Sequence, residues 1–303
     1  MNIPKDIYSL HVSLSDNAPR PHLGASLIGH DCLRYLWYVF RWAYKVEHDG
    51  QRLRLFETGN LEEARLIKEL RLAGYEVLDR EDGHQLRFKD HNGHFCGSVD
   101  GKIQINNEWF LLEIKTHGQK SFDYLKKNGV KKAKPMHVAQ MQIYMKQLIL
   151  DKALYVATCK NTDEIYTEII KFEEKKAVNL RHKALKVIES DDTPERISNV
   201  IKGCFECEWC DFQKACHRLD ASQLPEFNCR TCIHSTPYQN GAWACVKNRK
   251  EIEGQKGCDQ HLFIPSLVPG ELVGQVNESS LTYRTIDGKT IINEIGKGLM
   301  ICE

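Results

Sequence analysis

The stretch HFCGSVDGKIQINNEWFLLEIKTHG, residues 94–118, decides the fold prediction because it combines a strand pattern with charge inside apolar sequence. Asn106 and Asn107 predict a tight turn between two strands, of which the second is strongly apolar. That second strand nevertheless carries Glu113 and Lys115, and the first strand carries Asp100. Charged groups are costly to bury unless they are paired or bind a metal. These three side chains therefore indicate a functional site.

Strand geometry places the three charged side chains together. Residues i and i+2 of a strand point to the same face, so Glu113 and Lys115 project together, and Asp100 on the adjacent strand shares that face. Two converging carboxylates suit Mg²⁺ or Mn²⁺, and a lysine beside them can orient or deprotonate a water molecule. The set suits metal-assisted attack of water on a phosphodiester. A solvated surface hairpin is the alternative interpretation, because Glu-x-Lys is a common sequence.

The composition is that of an ordinary globular protein of one large domain or two unequal ones. The chain has 303 residues, of which 42% are hydrophobic and 27% charged, with a net charge of +1. Nucleic-acid binding would therefore need a local basic patch. No apolar run approaches the roughly 20 residues of a membrane span, and MNIPKDIYSLHVSL at the N-terminus lacks the order of a signal peptide. We expect a soluble, cytoplasmic protein.

The order of predicted elements indicates an α/β protein (α+β mixed sheet) whose sheet is flanked by helices. Predicted helices cover residues 26–44, with Ser26 as a cap, and residues 60–73, 136–150 and 173–190. Predicted strands cover residues 75–80, 84–90, 94–105, 109–116, 153–160 and 164–172. Cysteines, turns and short strands dominate after Cys216, and residues 218–229 resemble a linker. We therefore predict domains at residues 1–217, 218–268 and 269–303, the last a small β appendage to which the sequence assigns no role.

Two further features accompany the charged hairpin. Gln140 and Tyr144 stand at i and i+4, on one face of a predicted helix. Glu62 and Glu63 follow Gly59 at the start of an earlier predicted helix. An upstream acid, then G-x-V-D, then E-I-K, then Q-x-x-x-Y resembles the RecB-like branch of the PD-(D/E)XK nucleases. The resemblance covers roughly residues 24–216.

The resemblance implies a role for each matching residue. Asp100 and Glu113 would be metal ligands, and Lys115 would be the catalytic lysine. Gln140 and Tyr144 would contact the nucleic-acid backbone or brace the site. The implied activity is that of a Mg²⁺- or Mn²⁺-dependent deoxyribonuclease, an exonuclease in particular, with a restriction-endonuclease-like core.

One motif departs from the family pattern. Many RecB-like enzymes have a histidine four residues after the upstream glycine, and here Glu63 occupies that position. A carboxylate there would still bind the metal. Glu57 and Glu62 are the alternatives, and Glu63 is our prediction for the third ligand.

A first group of cysteines lies at the end of the predicted nuclease domain. Cys204, Cys207, Cys210 and Cys216 by themselves predict a zinc site. The C-x2-C-x5-C spacing of the last three, with Cys32 far upstream, resembles the AddB-type and CRISPR-associated exonucleases. That resemblance implies a [4Fe–4S] cluster with Cys32, Cys207, Cys210 and Cys216 as ligands, acting as a structural staple.

A second group of cysteines predicts a zinc module. The segment is too short and polar to hold its own core, so bound metal would supply its folding free energy. The predicted ligands are Cys229, Cys232, Cys245 and Cys258. His234 or His261 is the alternative to the last of these.

Between the catalytic strand and the Gln140 helix lies a lysine-rich segment, residues 120–137, that we predict to be a loop tracking DNA phosphates. Its candidate DNA-binding residues are Lys126, Lys127, Lys131, Lys132 and Lys134. A solvated charge run is the alternative. His117 follows the E-I-K strand, and His137 lies one helical turn before Gln140. Either could touch the substrate, but we predict a surface role for both.

The sequence thus predicts a DNA nuclease with an iron–sulfur staple and a zinc module, typical of a phage or mobile element. Its partners would be DNA and a recombination or replication protein. Two rival hypotheses stay open. One is a nucleic-acid-binding or scaffold protein on a nuclease fold, and the other is a CRISPR-adaptation-type trimming nuclease that works in a complex.

Overall fold

The computed structural model describes residues 2–15, 18–217, 223–252, 256–277 and 279–302. The helices are α1 Ile3–Leu14, α2 Leu33–Arg41, α3 Gly50–Leu72, α4 Gln119–Ala133, α5 Pro135–Leu148, α6 Glu174–Glu189, α7 Phe205–Glu208 and α8 Gln213–His217. The first strands are β1 Leu23–Gly24, β2 Val77–Leu78, β3 Arg80–Glu81, β4 His84–Gln85, β5 Arg87–Asp90, β6 Phe95–Ser98, β7 Gly101–Ile105, β8 Glu108–His117, β9 Lys152–Cys159 and β10 Ile165–Lys171. The later strands are β11 Ser235–Pro237, β12 Trp243–Cys245, β13 Lys250–Ile252, β14 Glu271–Asn277, β15 Ser280–Arg284, β16 Thr290–Glu294 and β17 Gly298–Cys302.

The central sheet has the strand order β10-β9-β8-β7-β2. Strands β8 and β9 are parallel and the other pairs are antiparallel, which confirms the predicted mixed α/β class. The turn between β7 and β8 is also confirmed, since Asn106 and Asn107 have φ angles of 51° and 63°. Asparagine tolerates this left-handed region better than most residues. In this strand order, β8 is the middle strand of the five.

Strand β8 divides the molecule into two packed layers. Leu112 and Ile114 pack against Leu66 and Ile67 of α3. Leu111, on the opposite face, joins the larger core that α2, α4, α5 and α6 cover. Burying each such aliphatic side chain stabilises the fold by about 1.5–3 kcal/mol. Glu113 shares the face of Leu111, so its carboxylate is directed into the larger core.

Two helix boundaries differ from the predicted ones. The predicted helix at residues 26–44 is a short 3₁₀ turn, Ala25–Leu27, followed by α2, which has Cys32 at its N-cap and ends at the left-handed Trp42. Helix α3 begins at Gly50, well before the predicted start at residue 60, because the Asp49 side chain accepts a hydrogen bond from the amide of Arg52 at 2.7 Å. An aspartate cap of this kind fixes a helix start.

Two predicted segments have a different structure. The strand predicted at residues 94–105 is broken at Val99 and Asp100, so β6 pairs with β1 and β5 in a separate sheet while β7 enters the central sheet. The lysine-rich segment predicted as a loop is helix α4, with a kink at Gly129. Phe122 and Leu125 at helical spacing are buried beneath it, and this apolar face makes it a helix.

The C-terminal third forms the sheets β11-β12-β13 and β14-β15-β16-β17. Trp243 and Ile264 belong to the same apolar core as the predicted nuclease domain. Phe263 packs with Tyr283 and Ile291 of the last sheet. Part of the predicted linker, residues 218–222, lies outside the described residues. The cysteine-rich segment is thus packed between the core of the predicted nuclease domain and the last sheet.

A pair of buried arginines joins this segment to α2. The Arg41 guanidinium donates to the carbonyls of Ser190, Arg230 and Ser235 at 3.1–3.2 Å. The Arg230 guanidinium donates to the Phe40 carbonyl at 3.0 Å. It also lies 3.6 Å from the ring centroid of Trp42. Carbonyl dipoles and aromatic faces thus stabilise two charges that lie in the core.

In the described part of the chain, no helix combines the length and the apolar character that a membrane crossing requires.

Candidate active site and cysteine sites

The three charged residues of the hairpin meet at the break between β6 and β7. The Lys115 ammonium contacts Oε1 of Glu113 and lies 3.8 Å from Oδ2 of Asp100. That same Oδ2 atom accepts a hydrogen bond from the amide of Ile114 at 2.7 Å. The predicted convergence of Asp100, Glu113 and Lys115 is therefore confirmed. The broken strand makes it possible, because Asp100 leaves β6 and turns toward β8.

Glu113 is the most buried of these groups, with 0% of its surface exposed. Neither carboxylate oxygen has a hydrogen-bond partner among the described residues, although one oxygen contacts the Lys115 ammonium. Burial raises the pKa of Glu113 to about 7 against the opposing effect of Lys115. Burial disfavours the Lys115 charge, but the carboxylates of Glu113 and Asp100 outweigh it and raise the pKa of Lys115. The site is thus poorly solvated, and one ammonium faces two carboxylates in it.

The three upstream glutamates differ in position. Glu63 lies close enough to the site that burial, followed by the charge of Asp100, raises its pKa to about 7. Glu62 instead lies 3.3 Å from the Arg65 guanidinium, and Glu57 lies 3.6 Å from the His11 ring. Glu63 is thus linked electrostatically to Asp100 and Glu113, although in the described part of the chain the three carboxylates do not form a grouped ligand set.

Gln140 and Tyr144 contact each other on one face of α5. The Gln140 amide donates to the Tyr144 hydroxyl at 3.3 Å, and only 2% of Tyr144 is exposed. A Cβ atom at Gly97 would lie 2.6 Å from the Tyr144 ring, so glycine at this point of β6 admits the tyrosine. The charges of Glu113 and Asp100 oppose ionisation of the buried Tyr144 hydroxyl and raise its pKa further. Of the two implied roles, this burial favours bracing over contact with DNA.

The donor chemistry fits a divalent cation, since two buried Glu113 oxygens lack hydrogen bonds and Asp100 stands opposite. Within the described residues, however, no three His, Cys, Asp or Glu side chains are grouped as ready-made metal ligands. The Lys115 ammonium lies between the two carboxylates. A cation can therefore enter only as this ammonium moves aside.

The sequence analysis did not predict the cluster of two histidines and a tyrosine that lies beside Lys115. His117, predicted to be at the surface, is only 8% exposed, and its Nε2 lies 2.9 Å from the Tyr155 hydroxyl. Nδ1 of His137 lies 2.9 Å from the same hydroxyl. The surface prediction is wrong for His117, because alternation along β8 puts it on the inner face with Glu113 and Lys115. This alternation was the feature of the sequence that could have predicted the burial of His117.

The lysines of α4 differ in their partners. Lys126 and Lys131 form ion pairs at 2.6 Å with Glu164 and Glu173. Lys127 and Lys132 are exposed. The Lys134 ammonium instead lies partly buried and donates to the Ser121 hydroxyl at 2.5 Å.

The first cysteine group converges on one small cavity of about 20 Å³. Cys32, Cys207, Cys210 and Cys216 line it, whereas Cys204 does not. Burial raises the pKa of Cys207 to about 12 and that of Cys210 to about 11. Thiols are the donors of iron–sulfur clusters, but these four are not grouped as a ready-made ligand set in the described part of the chain. The space is that of about one water molecule, so a cluster requires these side chains to move apart.

The second cysteine group lines a cavity of about 730 Å³. Its lining includes Cys229, Cys232, Cys245 and Cys258, and also His234 and His261. Burial and then the neighbouring thiols of Cys258, Cys232 and Cys245 raise the pKa of Cys229. Nδ1 of His261 is buried without a hydrogen-bond partner in the described chain. Both alternatives for the last ligand therefore lie at this cavity.

No protein-family model and no curated protein matches this sequence. Among solved structures, the chain is similar to SSO0001 at a TM-score of 0.40 and 17% identity, over 70% of this chain and 95% of that one. It is also similar to the alkaline exonuclease LHK-Exo from Laribacter hongkongensis, at 0.39 and 14%, over 60% of this chain and 89% of that one. The complex of LHK-Exo with dAMP gives 0.40 and 13% over the same shares. At these TM-scores the neighbours do not decide the chemistry of this chain.

Proposed function

We propose that the protein is a Mg²⁺- or Mn²⁺-dependent deoxyribonuclease of the RecB-like PD-(D/E)XK type, acting as an exonuclease. The observation that carries this proposal is the buried Glu113 carboxylate, which meets Asp100 and Lys115 at the open end of a broken strand. Among the described residues the Lys115 ammonium is the one group that compensates for this buried carboxylate, and burying such a charge pair commonly costs folding stability. Chemistry at this point is the better explanation.

Each residue has a distinct role in the proposed reaction. A divalent cation at this site would activate water and neutralise the phosphate charge. Asp100 and Glu113 would hold it, with Glu63 as the third carboxylate. The Lys115 ammonium, displaced from between the carboxylates, would orient the attacking water and stabilise the negative charge that develops on the phosphate oxygens. Gln140 would keep Tyr144, and through it β6, in place.

The two cysteine groups are proposed as structural metal sites. Cys32, Cys207, Cys210 and Cys216 would hold a [4Fe–4S] cluster that ties the start of α2 to α7 and α8. Cys229, Cys232, Cys245 and Cys258 would hold zinc. Since buried thiols with raised pKa values must lose protons to bind metal, both sites would bind more tightly at higher pH. Metal analysis of anaerobically purified protein tests both proposals, with zinc alone as the result that removes the cluster.

One observation favours a second function. Because the Lys115 ammonium already lies between the two carboxylates and no ligand set is preformed in the described residues, the fold would also serve a protein that binds DNA without cutting it. Such a protein would bind DNA equally with and without divalent cations.

End-labelled single- and double-stranded DNA, incubated with Mg²⁺ or Mn²⁺, separates the two functions. We expect metal-dependent degradation that is lost in Asp100→Asn and Lys115→Met. Lys175→Met, which removes an exposed lysine of α6 outside the proposed site, is the matched control and should retain most activity. Binding without cleavage by folded, metal-loaded protein would favour the second function.

A further inference from the structure

The outer face of the small sheet β1-β6-β5 carries positive charges that the chemistry above does not use. Arg87 and Lys89 alternate with the buried Phe88 along β5, and both cations are exposed. Phe88 packs against the Tyr144 ring at a centroid distance of 5.7 Å. The inner face of this sheet therefore belongs to the core, and the two cations project from its outer face.

A third cation, Arg20, reaches the same face at the other edge of the sheet. The register places Lys89 opposite Cys96 and Cys96 opposite Gly24, so these positions share one face. A Cβ atom at Gly24 would lie 3.1 Å from Nη1 of Arg20, which means that the guanidinium lies over this glycine. Arg20, Arg87 and Lys89 together form what we name the basic face.

The segment that carries Arg20 is held in place by groups of the core. The Trp42 indole donates to the Arg20 carbonyl at 2.8 Å, and the buried Arg230 guanidinium donates to the Pro21 carbonyl at 2.9 Å. Among the described residues, the Arg20 guanidinium itself has one partner, the Ser26 hydroxyl at 3.4 Å. The backbone is thus fixed, while the charged end of the side chain remains available to a ligand.

None of the three cations of the basic face forms an ion pair in the part of the chain that the structure describes. Other surface lysines do have glutamate partners at 2.6 Å, namely Lys126, Lys131 and Lys152. Burial and then four surrounding cations, of which three belong to the basic face, lower the pKa of His22. Like charges that share a face destabilise the fold, so a bound anion would relieve their repulsion.

Protection of a sheet edge is the other common reason for exposed charges on a strand. Carboxylates would serve that purpose as well as cations, and Arg20 precedes β1 rather than lying on it. Edge protection therefore does not explain why all three charges are positive.

The basic face lies beside the carboxylate–lysine site. Ser98, which is opposite Arg87 in the register, precedes Asp100 by two residues, which is about 7 Å of extended chain. Arg20 is also close enough that its charge lowers the pKa of Tyr144, against the larger effects of burial and of the site carboxylates. A DNA strand that leaves the proposed metal site can thus continue along this face.

We propose that the basic face binds the phosphates of a DNA strand whose scissile phosphodiester lies at the carboxylate–lysine site. The identity of the strand as substrate rests on the proposed function, whereas the preference for a polyanion rests on the unpaired cations. With a net charge of only +1, the chain needs such a local patch to bind a nucleic acid. The lysines of α4 were predicted to supply it, but Lys126 and Lys131 are already in ion pairs.

Fluorescence anisotropy of a labelled oligothymidylate, measured in EDTA at several salt concentrations, tests this surface without cleavage. The double variant Arg87→Gln, Lys89→Met should weaken binding about tenfold at low salt. Its slope of log K against log salt concentration should be shallower by about 0.7 for each lost phosphate contact. Arg20→Gln should weaken binding in the same direction. Exchange of the two cations, Arg87→Lys with Lys89→Arg, keeps both charges and should retain binding.

The matched control is Lys171→Met, Lys175→Met, which removes the same charge from exposed positions on β10 and α6. It should bind like wild type, and melting curves verify that every variant is folded. Equal weakening by this control would overturn the proposal. So would unchanged binding and salt slope in Arg87→Gln, Lys89→Met, or wild-type protein that does not bind DNA in EDTA.

The outcome is separable from that of the nuclease proposal, because the binding assay needs neither divalent metal nor cleavage. If the protein cleaves DNA while Arg87→Gln, Lys89→Met binds like wild type, the basic face alone is refuted. If this variant binds weakly but wild type never cleaves, the basic face is supported and the nuclease proposal fails.

Discussion

At the scale of single residues, Glu113 is where folding and chemistry conflict. Its carboxylate is fully buried, and only the Lys115 ammonium compensates for the lost hydration. Residues at functional sites commonly reduce stability in this way. The sequence was sufficient to predict that Asp100, Glu113 and Lys115 come together. Each lies within apolar sequence, where a charge is costly to bury unless it is paired or binds a metal. It was not sufficient for His117, whose partner Tyr155 lies 38 residues along the chain.

The conflict predicts a pH-dependent stability. The pKa of Glu113 is about 7 in the folded protein, whereas that of an unperturbed glutamate is 4.5. Between these pH values the folded protein therefore keeps a proton that the unfolded chain has lost. Stability is therefore greatest below pH 4.5 for this group and falls as the pH rises toward 7. In metal-free protein above pH 7, the free energy of unfolding of Glu113→Gln should therefore exceed that of wild type by up to about 3 kcal/mol.

Urea denaturation of both proteins in EDTA, at intervals from pH 4.5 to 8, measures this difference. The gain of Glu113→Gln over wild type should increase with pH and level off above 7. A gain that is constant across the range would show that Glu113 does not carry its charge into a poorly solvated site.

At the scale of elements, the site depends on how α5 packs against the broken strand. The hydrophobic alternation through Val99 gave no sign of the break at Asp100, because the break depends on pairing with strands distant in sequence. Helix α4 was also predicted wrongly, since its lysines and Gly129 resembled a loop while Phe122 and Leu125 already had helical spacing. Its long neighbour α5 was predicted closely, because its apolar positions recur over several turns.

Packing at Gly97 gives a prediction for these elements. In Gly97→Ala the new Cβ would lie 2.6 Å from the Tyr144 ring and 2.8 Å from that of Phe88. Overpacking of this kind costs about 1–3 kcal/mol, and because Tyr144 is displaced, cleavage activity should fall as well. Thermal melting and the nuclease assay measure the two effects.

Gly274→Ala is the matched control, because a Cβ there meets nothing within 4 Å; it should change stability by no more than about 0.5 kcal/mol. If Gly97→Ala melted and cleaved like Gly274→Ala, Tyr144 would not be held against β6 as described.

At the scale of the whole molecule, the cysteine-rich segment is part of the core rather than an appendage. Composition alone separated it from the predicted nuclease domain, yet Trp243 shares the core with Phe40, and Arg230 lies on Trp42. A change of composition along a chain marks a change of local structure and does not reveal burial between distant segments. Loss of metal from this segment should therefore weaken the whole fold.

Cys232→Ser tests this coupling. We expect the zinc content to fall by about one ion per chain. We also expect the entire protein to melt at a lower temperature, because structural zinc contributes directly to folding. Cys302→Ser, at an exposed position on the last strand, is the control and should keep both zinc and stability. Unchanged zinc content in Cys232→Ser would exclude the proposed ligand set.

The most direct test of the proposed nuclease is to measure Mn²⁺ binding and DNA cleavage on the same preparations of wild type, Glu113→Gln and Lys115→Met. Wild type should bind Mn²⁺ and cleave. Glu113→Gln should lose both, because it removes a ligand. Lys115→Met should still bind Mn²⁺ while cleavage falls by about 10²–10⁴-fold, because the lysine acts on the water and not as a ligand. Undiminished cleavage by Lys115→Met, or wild-type protein that binds Mn²⁺ and DNA without cutting, would contradict the proposed function.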